Sequence, residues 1–536
     1  MKWLSYLFIT TLVLTQLSCT KDFEKINTDP TRATPDNFDA TFFLTNAQNT
    51  YKEAIAGYAG PILFQSGWVQ ILSSTTTGGA IYYSNMDKYV QSANTMSYTA
   101  NSWTNCYRAA SLANEIINVY GAEPTRSNAV GAAMVMKVMA MAYAADIYGD
   151  LPYSEAFQGA KGLSTPKYDK QDVALKAMLA DLEKAAAMFD ASKLPISSDL
   201  FYKGDVAKWK RLANSLMLRI AMRMTKKDAG TAKAWAEKAF AGGVFTSDAD
   251  DVFLPGDQAN GYTNPNSRAL ATPADLYEVR WAKTLVDYLK SNDDPRLSAI
   301  AEVPAAGFAA NNSGSAGDNT AANQLGLPNG YDMNGGATDI STAPGFPGAT
   351  GTGGDATKIG KYSRPRGFYR NLNAPVFILT HGEVQLLLAE AKVRGWNVGS
   401  TSAAEFYANG VRGGVASLAK YGADAAVSVA AVNALLTAKP LDVTTQNASL
   451  AQINTQYWAT TGILMNFAES WSNWRRTGFP ALTPIVAAGN FSGGQVPRRQ
   501  LYPTSEASLN GTSYNAGLSG LTPASDVWNA RVWWDN

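Results

Sequence analysis

Apolar residues fall into three patterns along the chain: one short unbroken run, a series of helical stripes, and long stretches with no period at all. The run follows Lys2 and extends from Trp3 to Leu14, broken only by Ser5, Thr10 and Thr11. Too short to span a bilayer comfortably, it reads as a secretory signal peptide over 1–18. Residues 19–40 are polar and turn-rich and read as a tether. Helical stripes follow: Ala109, Leu112, Ala113, Ile116 and Tyr120 share one face, and further helices are predicted over 171–189, 205–224 and 231–241. Ala129 to Ala145 is apolar all round; being short, Ala-rich and interrupted by Lys137, it reads as a buried helix rather than a membrane span. From 246 to about 375, Gly, Asn, Pro, Ser and Thr erase the period, and helices resume over 383–393, near 404–412 and over 450–474. The last segment, 481–536, is irregular.

The pairing of these helices, with small Ala residues at packing positions, predicts a mainly α chain. It is expected to be a tetratricopeptide-like helical-hairpin scaffold carrying a large irregular, loop-rich binding region. The expected organisation is one domain over 41–536, with helices at about 41–245 and 380–480 and loops at about 246–379 and 481–536. The signal segment ends in Ser18 and Cys19, an arrangement that resembles a bacterial lipobox: a small residue at the scissile bond, then a thiol for diacylglycerol. Gln16 stands where Leu is usual, and Leu17 comes one place later. Cys19 is thus the expected lipid anchor, holding the protein to the outer membrane, and Asp22 and Glu24 suit export to the cell surface. With Cys19 acylated, Cys106 has no disulfide partner and is expected to be a buried core thiol.

Composition narrows the function. Lys and Arg total 45 against 44 Asp and Glu, so no basic excess exists to neutralise a row of phosphates, and nucleic acid is not an expected partner. His381 is the only histidine, and no G-x-S-x-G elbow accompanies it, which argues against a hydrolytic triad. The pairs Asp250-Asp251 and Asp293-Asp294 could serve a glycosidase but look like turn and cap residues, and Asp248, Asp250 and Asp257 lack EF-hand spacing for calcium. No cofactor or metal is expected.

Several ordered segments resemble the SusD/RagB nutrient-binding outer-membrane lipoproteins, in their SusD-like branch: 23–30 (FEKINTDP), 145–153 (ADIYGDLPY), 202–205 (YKGD) leading to Trp209, Asn214 and Arg219, 294–297 (DPRL), 326–331 (GLPNGY), 383–391 (EVQLLLAEA), 474–480 (WRRTGFP) and 497–503 with Arg498, Arg499 and Tyr502. Most of these read as scaffold. The resemblance implies a non-catalytic surface protein that captures oligosaccharides, or peptides, for a SusC-like TonB-dependent barrel transporter, with a surface glycoside hydrolase as the other reading. It also implies that ligand sits on aromatic platforms on loops. By composition, the Gly/Thr-rich stretch 73–79 flanked by Trp68, Tyr82 and Tyr83 is the first candidate, with Tyr262, Trp281 and Tyr331 next.

Overall fold

A computed structural model describes residues 39–75, 82–272 and 278–536. The expected signal peptide, Cys19, the tether as far as 38 and the stretch 76–79 lie outside the described residues.

The first half of the chain is a run of helices: α1 (Phe42–Ile55), α2 (Thr95–Tyr120), α3 (Ser127–Tyr148), α4 (Gln171–Met188), α5 (Val206–Arg223) and α6 (Ala229–Gly242). Each packs on the next, so the chain proceeds as nested hairpins. Local chemistry sets their ends: Asp205 accepts hydrogen bonds from the backbone N–H groups of Ala207 and Lys208 at 3.0 and 3.1 Å and starts α5. Gly149, at φ 103°, turns the chain out of α3. The apolar helix α3 is covered by α2 and α4 and by a helix from the far end of the chain. Of its apolar window, 83% is buried, which accounts for its lack of a polar face. Cys106, on α2, is buried and unpaired, and burial pushes its thiol pKa well up.

Between the helical halves, helix α7 (Lys283–Ser291) and three two-stranded antiparallel ladders organise the loop-rich region. They are β1 (Leu72–Ser74) with β3 (Val279–Trp281), β2 (Val252–Pro255) with β6 (Pro375–Leu379), and β4 (Ala301–Glu302) with β5 (Arg364–Pro365). A small separate core of Leu327, Ile340, Ala343, Ile359 and Tyr362 lies beneath these loops.

The second helical half contains α8 (His381–Val393), α9 (Ala403–Leu418), α10 (Val429–Ala438), α11 (Gln446–Ile463) and α12 (Phe467–Thr477). Thr380, Ser402 and Thr445 cap α8, α9 and α11 through their hydroxyls. Helices α8 and α9 cross on glycines, so closely that a Cβ on Gly382 would lie 2.4 Å from the Gly414 nitrogen. The single helix expected over 450–474 is two: Met465, with φ 58°, reverses the chain between α11 and α12. The two halves join where α5 meets α8 and α3 meets α12, and the main core draws on residues from Ala40 to Trp534.

Candidate ligand-binding face

The structure corrects two of the sequence candidates. Trp68, at the end of the short helix Gln65–Trp68, is 0% exposed and packs against Phe64, Trp471 and Trp528 at ring-centroid distances of 5.7, 5.4 and 5.9 Å. Trp281 is also 0% exposed; its indole N–H donates to the Ile300 carbonyl at 3.1 Å, and its ring meets Tyr369 edge-on. Both are core residues that no ligand can reach in the folded chain. A Gly/Thr-rich neighbourhood suggested exposure, but β1 and β3 are buried along their whole length.

Tyr82 and Tyr83 open the short helix Tyr82–Asp87. Tyr83 is 5% exposed and stands edge-on behind Tyr58, with centroids 5.5 Å apart. Tyr82 is half-buried and belongs to a surface cluster with two tyrosines the sequence reading missed, Tyr58 and Tyr98. Their centroid separations are 6.0 Å (Tyr58 to Tyr82), 5.6 Å (Tyr58 to Tyr98) and 5.5 Å (Tyr82 to Tyr98), all near-perpendicular. Asn94, exposed at the start of α2, donates to the Tyr82 hydroxyl at 2.8 Å. The patch therefore presents three phenol rings and a carboxamide. The signal for Tyr58 was available: an aromatic residue set between Gly57 and Gly60, with Gly57 at φ 96° pressed against Pro265. Tyr98 had none, because it lies in a polar stretch of α2.

One buried carboxylate fastens this platform. Asp87 accepts hydrogen bonds from the Ser73 hydroxyl at 3.1 Å, the Gly330 backbone N–H at 2.9 Å and the Asn329 side-chain amide, joining β1, the tyrosine helix and loop 328–330. Burial pushes its carboxyl up to about 7 in spite of these donors. Next to it, Lys88 pairs with Asp332 at 2.5 Å. Tyr331 is thereby held between two anchored residues, half-buried against the small loop core. Tyr262, at 51% exposure, stands apart, its carbonyl accepting a 2.8 Å bond from Lys52 of α1.

The groups that invite a catalytic reading are committed elsewhere. His381 is the first residue of α8, its backbone N–H donates to Asp251 at 2.7 Å, and burial lowers its pKa. Asp251 also accepts from the Ser417 hydroxyl at 2.6 Å, Asp250 is paired with Arg211 at 2.7 Å, and Asp294 is paired with Arg296 at 2.5 Å. The calcium alternative meets the same difficulty, since Asp248 binds Lys420 and Asp257 caps the turn at Asn260. Among the described residues, no group of three or more His, Cys, Asp or Glu side chains converges on one point.

Comparison with known proteins settles the relationship. The SusD-like family described as starch-binding, associating with outer membrane, matches residues 32–503. The chain belongs to the SusD-like family. No curated protein matches it, but solved structures do. A chitin-binding protein is 31% identical with TM-score 0.77, over 93% of this chain and 100% of that one. A SusD-like protein of Bacteroidetes AC2a is 23% identical with TM-score 0.77, over 93% and 100%. A chitin-binding SusD homologue from Flavobacterium johnsoniae is 22% identical with TM-score 0.71, over 92% and 98%; these last two carry the fold alone.

In this SusD-like chain the family-like segments build the interior. Arg219 and Arg223 of α5 reach across the joint between the helical halves: Arg219 binds Glu383 in a fork at 2.6 and 2.8 Å, and Arg223 binds Asp146 at 3.0 Å and Glu469. The Tyr457 hydroxyl lies 2.7 Å from Glu383 and 2.6 Å from Glu469. Burial pushes the Glu383 carboxyl up, whereas in Glu469 the same desolvation is outweighed by Arg223 and Arg219, which hold it down. Arg475 lies over the rings of Trp471 and Trp534 and donates to the Asp146 and Arg498 carbonyls at 2.6 and 2.9 Å. Arg476 grips Glu390 through two bonds of 2.6 Å. These arginines brace acids and carbonyls of the interior, in keeping with a scaffold role for these segments.

Proposed function

We propose that this chain is a non-catalytic, lipid-anchored nutrient-binding protein of the outer membrane that captures oligosaccharides and hands them to a SusC-like TonB-dependent barrel transporter. The observation that carries the reading is the patch of Tyr58, Tyr82 and Tyr98 with Asn94: half-exposed aromatic surface that bears hydroxyls and no charge. Such a surface suits the C–H faces and hydroxyls of a neutral sugar chain. Each ring contact contributes on the order of 1 kcal/mol, so several must act together. The family's starch-binding description and the relative named as chitin-binding make α-glucan and chitin fragments the first ligands to test. Tyr331 and Tyr262 are proposed as further contacts, separate from the patch, for a longer sugar chain. Acylation of Cys19 supplies the anchor in this reading.

Calorimetric titration with malto- and chito-oligosaccharides, beside a peptide set, tests this. Binding of one sugar series is expected, with the Tyr58→Ala/Tyr98→Ala double variant weakened roughly 30-fold at unchanged fold, the loss of about two ring contacts. Peptide binding alone, or release of shortened sugars on long incubation, would overturn the reading. Isolation from solubilised outer membranes should recover a barrel protein with the chain and an acylated Cys19.

A further inference from the structure

A cavity of about 570 Å³ opens between α7, α9, α10 and α11, built from residues none of which belongs to the tyrosine patch. A water occupies about 30 Å³ and packing voids are rarely larger than one, whereas small-ligand sites run from about 300 to 1,000 Å³. The size is that of a site.

Its floor is held by hydrogen bonds. The Tyr288 hydroxyl donates to the Gln456 carbonyl oxygen at 3.0 Å, which also accepts from Arg296 at 3.2 Å, and Arg296 is forked onto Asp294. Along one wall the Gln452 amide donates to the Tyr407 hydroxyl at 3.2 Å and to the Pro440 carbonyl at 3.0 Å, while its oxygen accepts from the Asp442 backbone at 2.7 Å. Tyr407 acts there as an acceptor and keeps its own proton to donate. These side chains are locked before any ligand arrives. The opposite wall is apolar: α10 buries only Val432 and leaves Leu435 and Leu436 half-exposed toward the cavity. The carboxylate in the floor, Asp294, is matched by Arg296, and the other charged lining residues, Lys439 and Asp442, are of opposite sign and solvent-exposed.

We propose that this cavity is a second ligand site, separate from the tyrosine patch, for a neutral one- or two-ring sugar. A neutral ring compound satisfies both walls, setting hydroxyls on Tyr407 and the half-buried Asn292 side chain and a C–H face on Leu435. An acyl chain would leave the Tyr407 proton without an acceptor, and a charged ligand would meet Lys439 and Asp442 together, solvent-exposed charges of opposite sign that favour neither an anion nor a cation. The sugar class is read from the cavity's own lining, independently of the patch.

The test is calorimetry with maltose, cellobiose and diacetylchitobiose on the full chain and three variants. Ala451→Trp, from the cavity wall, fills the space; Tyr407→Phe removes one hydroxyl; Tyr58→Ala/Tyr98→Ala removes the patch. At least one disaccharide is expected to bind the patch variant as it binds the unaltered chain, while Ala451→Trp weakens it at least about tenfold and Tyr407→Phe about threefold, at unchanged melting temperature. Should Ala451→Trp not fold, Tyr407→Phe alone decides. The proposal falls if no disaccharide binds, if both cavity variants bind normally, or if all disaccharide binding disappears with the patch. None of these outcomes alters what long oligosaccharides do at the tyrosines.

Discussion

Replacing Arg476 by Met should break the most enclosed ion pair in the second helical half. Arg476 and Glu390 are both 0% exposed at their side chains, and the guanidinium also reaches Asn454 and Asn473 at 3.2 and 2.7 Å. In the variant Glu390 keeps only Arg394, one turn along α8. Two routes give the cost. Breaking a buried pair by removing one partner costs about 3–5 kcal/mol. Independently, burial alone would raise the Glu390 carboxyl, but Arg476 and then Arg394 bring it down to about 2 from 4.5. At about 1.4 kcal/mol per unit, that depression corresponds to roughly 3 kcal/mol. Because the folded value is depressed, this stabilisation is fully present above pH 4.5 and is lost as pH falls toward 2. For some 500 residues unfolding together at about 2 cal/mol/K each, 3–5 kcal/mol lowers the melting temperature by roughly 3–5 °C. Calorimetry at pH 7 reads it directly. The double variant Glu390→Gln/Arg476→Met, which leaves no unpaired charge, should recover about 2 kcal/mol relative to the sum of the single changes. A single variant that melts within 1 °C of the parent at neutral pH, or strict additivity in the double, would refute the argument.

Asp87→Asn sets an amide against the donors of Asn329 and Gly330 and should cost about 1–3 kcal/mol in denaturant titrations. Because burial raises the Asp87 carboxyl to about 7, its contribution weakens as pH rises from 3.8 toward 7, and that part of the stability profile should flatten in the variant. Trp281→Ala should cost about 3–5 kcal/mol of stability while leaving sugar affinity of the folded fraction intact, the reverse of Tyr98→Ala. Gly382→Ala sets a Cβ 2.4 Å from the Gly414 nitrogen, well inside contact distance, so the crossing must open; it should destabilise by about 1–3 kcal/mol, seen as a lower melting temperature.

Amphipathic helices were legible almost to the residue: α4 and α5 begin and end within one position of their predicted limits. The sequence reading failed where burial is not apolar. The first turns of α2 are Thr, Ser and Asn held by hydrogen bonds, as when Ser102 donates to the Ala54 carbonyl at 2.8 Å, so half of a long helix left no stripe. The break at Met465 was invisible because apolar residues continue on both sides of it. The binding patch was half legible: Tyr82 was named from its loop, but Tyr58 and Tyr98 come from distant segments that only the packing of α1 on α2 brings together. Trp68 and Trp281 were misread because composition reveals a loop's neighbourhood, not the direction in which a ring points.

Residues 475–535 fasten the end of α3. Asp535 is forked onto Arg498 at 2.5 and 2.9 Å, Trp534 lies under Arg475, Arg475 donates to the Asp146 carbonyl at 2.6 Å, and the Arg499 guanidinium donates to the Tyr148 carbonyl at 3.1 and 3.3 Å. Arg475 and Arg499, themselves held by residues up to 535, thus supply partners to the end of a helix made 329 and 351 residues earlier. A half-made chain lacks that lock: Asp146 and Arg223 can already pair, but the Asp146 and Tyr148 carbonyls wait without their guanidinium donors and Arg223 waits without Glu469. A chain cut before Trp534 loses the ring under Arg475 and the carboxylate on Arg498, and should persist as a loose, protease-sensitive form rather than as a slightly shorter native protein.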